Sequence, residues 1–114
     1  MIELEERVLG PEHPRTLATH NALGKVLHDE GRDAEAETED RRLVNLEAKV
    51  LGPEHRDTLN TCFNLAVCLR AEGKLQEACA LAKRAADGAR KVLGPEHPDT
   101  KRYEQLRQEL PAGG

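Results

Sequence analysis

The chain has 114 residues, enough for one domain and too few for two, and a globular core at that length is thin. Apolar residues make up 38% and charged residues 33%, and no apolar run approaches the roughly 20 residues that span a bilayer, so neither a disordered chain nor a membrane-embedded one fits. Seventeen basic against twenty-one acidic residues leave a formal charge of −4 spread along the chain, and Phe63 and Tyr103 are the sole aromatics, so neither an anionic lipid surface nor a row of stacked bases is indicated as a partner.

The segment Val8-Leu9-Gly10-Pro11-Glu12-His13 returns at Val50 to His55 and at Val92 to His97, in steps of 42 residues. The chain is therefore an array. The same register pairs Thr16 with Thr58, Leu17 with Leu59, Thr19 with Thr61, Leu23 with Leu65, Leu27 with Leu69, Gly31 with Gly73 and Glu35-Ala36 with Glu77-Ala78.

Residues 1–9 come first. Ile2 to Leu9 align with Val44 to Leu51, which predicts the end of a second helix whose partner precedes the chain. Residues 14–51 form the first full unit, with Pro14 suited to a first helical position, where its missing amide hydrogen does no harm. The second helix of this unit carries Thr38, Glu39 and Asp40 where the next unit has Ala80, Leu81 and Ala82, so weaker packing is expected there. Glu35, Glu37, Glu39 and Asp40 read as a solvated face without a desolvating pocket.

Residues 56–93 form the second unit. Leu59, Cys62, Phe63, Ala66 and Leu69 fall at helical spacing and stop at Gly73, which predicts helix A. Leu75, Ala78, Leu81, Ala82, Ala85, Ala89, Val92 and Leu93 make a longer stripe ended by Gly94-Pro95, which predicts helix B. The Gly73-Lys74 turn makes the two antiparallel, and Arg56 stands where the other loops have proline, leaving His55 or Asp57 to cap. Residues 98–110 begin with Pro98 and carry Tyr103, Leu106 and Leu110, a single amphipathic capping helix, and 111–114 are expected to fray. The fold class expected is all-α, a stack of antiparallel hairpins with two full repeats and partial flanking helices.

Leu65-Ala66, Leu69, Gly73 and Ala78, repeated as Leu23-Gly24, Leu27, Gly31 and Ala36, have the spacing of the tetratricopeptide signature, which the chain resembles over nearly its whole length. The period and the run Val-Leu-Gly-Pro-Glu-His-Pro-x-Thr-Leu are similar to the repeats of kinesin light chains. The resemblance implies an α-solenoid whose A helices line a concave groove. It places the groove positions at Asn21, Lys25 and His28 in the first unit and at Phe63, Asn64, Val67 and Arg70 in the second. Asparagine donates and accepts, as an extended peptide does, and Lys25 and Arg70 suit acidic groups.

Catalytic signals are missing. There is no serine, no GxxxxGK loop and no GxGxxG turn. His13, His55 and His97 recur with the repeat, but equivalent positions in stacked hairpins lie about 10 Å or more apart, too far to share one ion, so loop or helix-entry roles are expected. His20 and His28 lack an HExxH arrangement, and no metal or cofactor is expected. Cys62, Cys68 and Cys79 form an odd set without CxxC, read as buried thiols in a reducing, cytoplasmic setting, and no signal-peptide pattern opens the chain. The expected function is a non-catalytic scaffold holding a peptide or protein in its groove. The alternative is homo-oligomer formation through apolar ends, formed by Ile2, Leu4 and Val8 at one terminus and Leu106 and Leu110 at the other.

Overall fold

A computed structural model describes the backbone of residues 14–110 and the side chains of residues 22–110. Five α-helices follow one another among the described residues: α1 Pro14–Asp29, α2 Asp33–Val50, α3 Arg56–Ala71, α4 Leu75–Val92 and α5 Pro98–Glu109. No strand occurs among them. Each helix packs on its successor and α1 also touches α3, so the hairpins α1–α2 and α3–α4 lie side by side with α5 against α4. This is the all-α solenoid of antiparallel hairpins that the repeat predicts. The expected helical end at residues 1–9 and the tail at 111–114 lie outside the described residues.

Backbone chemistry explains the hairpins. Gly73 has a φ of 79°, a left-handed conformation that costs a glycine little, and its amide donates to the Arg70 carbonyl at 3.0 Å while the Lys74 amide donates to the Leu69 carbonyl at 2.8 Å. Those two bonds satisfy carbonyls that the end of α3 would otherwise orphan. Gly31 repeats the arrangement at the end of α1. At the longer loops histidine caps the incoming helix. His55 Nδ1 accepts from the Asp57 amide at 3.1 Å, and His97 Nδ1 accepts from the Asp99 amide at 3.0 Å just before Pro98. Thr58 then ties the loop to its helix by donating to the Gly52 carbonyl at 2.8 Å.

The main core runs through the second hairpin and into α5. Leu59, Cys62, Leu65, Ala66 and Leu69 of α3 meet Ala78, Ala82, Ala85, Ala86 and Ala89 of α4, with Val44 on one side and Tyr103, Leu106 and Leu110 on the other. Small residues set the approach of α3 and α4, since a Cβ on Gly88 would come within 2.5 Å of Leu59 Cδ2. A smaller cluster of Leu27, Ala36 and Cys68 joins the hairpins.

Two sequence expectations need correction. Leu106 and Leu110 do not form an exposed apolar end, because both turn into the core and are 4% and 5% exposed. Helix α5 finds its apolar partners within the same chain. Nor is Asp40 on a solvated face: it is 1% exposed, between α1 and α3, and Glu37 is also largely shielded, pairing with Arg41 at 2.6 Å and Lys74 at 2.8 Å. Asp40 lies one turn from the fully buried Ala36 and shares its inward-facing side of α2, which the six consecutive polar letters from Glu37 to Arg42 conceal.

Candidate functional site

A cavity of about 310 Å³ opens on the side of the array where α1, α3 and α5 run next to one another. Lys25, His28 and Asp29 of α1 form one wall, and Asn60, Phe63, Asn64 and Val67 of α3 the other, with Arg102 of α5 at one end. The α3 residues recur at three- and four-residue intervals and so share one helix face. Gly24, Asp40 and Cys68 lie at its base.

Five of the groove positions implied by the resemblance, Lys25, His28, Phe63, Asn64 and Val67, line this one cavity. Arg70 does not; its guanidinium pairs with Glu109 of α5 at 2.9 Å, tying the capping helix to the second hairpin. The Asn21 side chain lies outside those described. Phe63 is half-buried, its ring stacked on Tyr103 at a centroid distance of 4.8 Å, with the Arg102 guanidinium 5.0 Å from its centroid. It is therefore a wall braced from behind, with an aromatic and a cation presented together. The Tyr103 hydroxyl completes the brace by donating to Asn60 Oδ1 at 3.3 Å.

Residues 23–78 and residues 58–99 each match a sequence profile described as tetratricopeptide repeat. The chain belongs to the tetratricopeptide repeat family. Its repeats are of the kinesin-light-chain type: a Podosopora anserina protein whose crystal structure is described as kinesin light chain nearly identical TPR-like repeats superposes with a TM-score of 0.88 at 28% identity, covering 95% of this chain and 51% of that one. A single-substitution variant of the same protein matches with the same figures. The chain thus spans about half the length of these structures. No curated protein matches it.

Within this tetratricopeptide array, the base of the cavity departs from the repeat. Gly24 and Asp40 occupy positions that are Ala66 and Ala82 one unit later, and a Cβ on Gly24 would lie 2.4 Å from Asp40 Oδ1. Glycine makes the room that the aspartate fills. Asp40 Oδ2 accepts from the Cys68 thiol at 3.8 Å, while Oδ1 has no hydrogen-bond partner. Burial pushes the Asp40 carboxyl up to about 7, against a smaller opposing pull from the Cys68 thiol, and pushes the Cys68 thiol up to about 12. A thiol so strongly held in its protonated form is a poor nucleophile. His28 faces Asp33 across the Gly31 turn, Nδ1 against Oδ1. Sequence reasoning missed Gly24, Asn60, Cys68 and Arg102 as lining residues. For Gly24 and Asp40 a signal existed in the paired replacement of two alanines; for Arg102 none did, since it reaches the cavity from the next unit.

Proposed function

We propose that this tetratricopeptide array is a non-catalytic scaffold that binds an extended peptide segment of another protein across α1 and α3. Tetratricopeptide repeats generally mediate protein–protein interaction. The observation that carries the reading is the meeting of Lys25, His28, Phe63, Asn64 and Val67, from two successive A helices, in one cavity. Such a surface offers an amide for main-chain pairing, an aromatic edge and valine for an apolar anchor, and Lys25 and Arg102 for an acidic side chain or a terminal carboxylate. Asn60 and Asn64 lie one turn apart on α3, so a strand-like peptide running along that helix meets both.

The test is selection of peptides by display on the immobilised chain, followed by titration against Lys25→Ala and Asn64→Ala variants. A loss of at least about tenfold in affinity is expected, the scale of one or two well-formed polar contacts. Selected peptides that bind both variants as tightly as the parent chain would place the interaction elsewhere. With Leu106 and Leu110 covered, self-association through Ile2, Leu4 and Val8 is the competing reading, and light scattering over a concentration series separates the two: concentration-dependent mass growth insensitive to both substitutions favours it.

A further inference from the structure

Beyond peptide binding, we propose that His28, Asp33 and Cys68, with Asp40 as a fourth donor, form a binding site for a divalent transition-metal ion, Zn²⁺ by the chemistry of the donors. One ligand atom each from His28, Asp33 and Cys68 lies within 4.8 Å of the others. These atoms come from three helices, the last turn of α1, the first turn of α2 and the last turn of α3. Three donors converge there, and Asp40 Oδ2, 3.8 Å from Cys68 Sγ on the buried side, is placed to supply the fourth ligand of the usual tetrahedral zinc site. Zinc ligands at about 2.0–2.3 Å from an ion stand roughly 3.3–3.8 Å from each other. The three donors, up to 4.8 Å apart, must draw together by about 1 Å, while His28 and Asp33, now in direct contact, must part. Both are partly exposed at the rim, with side-chain exposures of 31% and 25%, so rotamer changes there disturb no core.

The second observation is Asp40 itself. It is 1% exposed, and Oδ1 lacks any hydrogen-bond partner although the residue lines the same cavity as His28 and Cys68. A buried carboxylate with an unpartnered oxygen is costly, and a cation bound through Oδ2 would neutralise the group. The repeat supplies an internal comparison. One unit later the positions of His28, Asp33, Asp40 and Cys68 hold Arg70, Leu75, Ala82 and Leu110, a surface cation and three hydrocarbons. Four donors replace them together at a single junction, and Gly24 is cut back to admit one of them. Binding forms a metal–sulfur bond and releases the Cys68 proton to solvent, with no change of oxidation state, while His28 coordinates as the neutral ring and gives up its contact with Asp33.

The experiment is a Co²⁺ titration of the full chain, read by visible absorbance and followed by displacement with Zn²⁺. A single equivalent of Co²⁺ is expected to give ligand-field bands of tetrahedral intensity with a thiolate charge-transfer band, both erased by Zn²⁺. The charge-transfer band disappears in Cys68→Ala and persists in Cys62→Ala, and His28→Gln weakens Co²⁺ binding at least about tenfold. Far-ultraviolet circular dichroism establishes that each variant remains helical. Should Cys68→Ala unfold, His28→Gln, at the rim of the fold, decides the question. The proposal is overturned by a folded parent chain that shows no thiolate band, by a band that survives in Cys68→Ala, or by His28→Gln binding as tightly as the parent. No peptide enters the measurement, so its outcome is independent of the groove reading.

Discussion

Glu47 is 2% exposed on α2, accepts a hydrogen bond from Thr61 of α3, and lies in the fields of Asp57 at the start of α3 and Asp40 on its own helix. Burial pushes its carboxyl up to about 7 from an ordinary 4.5, with the Thr61 bond pulling the other way. Since the folded value lies above the unfolded one, the native state holds more protons between the two. Glu47's contribution is complete below about pH 4.5 and is lost as pH rises through about 7. The Glu47→Gln variant keeps an oxygen for Thr61 and removes the charge. Urea denaturation at pH 8 is expected to show it more stable than the parent by roughly 1–3 kcal/mol, with the gap closing towards pH 4.5. An equal offset at both pH values would mean that charge burial is not the cause. Glu37 behaves oppositely: hydrogen bonds from Glu72, Lys74 and Arg41 hold its carboxyl down at about 2, so its contribution is complete above about pH 4.5 and is lost as pH falls through about 2.

At the scale of the helix, start signals matter more than propensity. Histidine is an uncommon capping residue, yet His55 and His97 each accept from the amide two residues on, as Ser or Asp would. The ring nitrogen that accepts must be unprotonated, so the cap requires the neutral ring with its proton on Nε2. Replacing His97 with alanine is expected to cost about 1 kcal/mol, the usual loss for a cap. A thermal midpoint lowered by about 4–8 °C would register it. An unchanged midpoint would show that Pro98 at the first helical position suffices to start α5. Helix α4 illustrates the opposite economy, since Ala78, Ala82, Ala85, Ala86 and Ala89 are fully buried and leave little side-chain entropy to lose. Close backbone approach, completed by Gly88 against Leu59, replaces bulk as the source of packing.

Across the whole molecule, each helix depends chiefly on its neighbours in order, as in other stacked arrays. The link between α5 and α3 is made by side chains: Tyr103 against Phe63, Tyr103 to Asn60, and Arg70 to Glu109. Tyr103→Ala removes a ring that is 1% exposed, and a loss of about 3–5 kcal/mol is expected from denaturant unfolding. Hydrogen exchange should show α5 opening before α2, because nearest-neighbour coupling confines the first damage to the end that lost the contact. Uniform acceleration in every helix would indicate a single cooperative unit. The inter-unit ion pair Arg41 to Glu77 is exposed and adds little to this coupling.

Periodicity alone determined the helical hairpins, their order and their turns, because the Gly73 turn and the Leu59 to Leu69 stripe are local consequences of chirality and helix pitch. The resemblance that the repeat carries pointed to five of the residues that share the cavity. Only the tertiary structure decided that Asp40 and Glu47 turn inward, that Leu106 and Leu110 are covered, and that Arg102 lines the cavity while Arg70 pairs with Glu109. Those outcomes depend on how one hairpin is rotated against the next. A polar letter in a helix records its chemistry and leaves open which neighbour it will face.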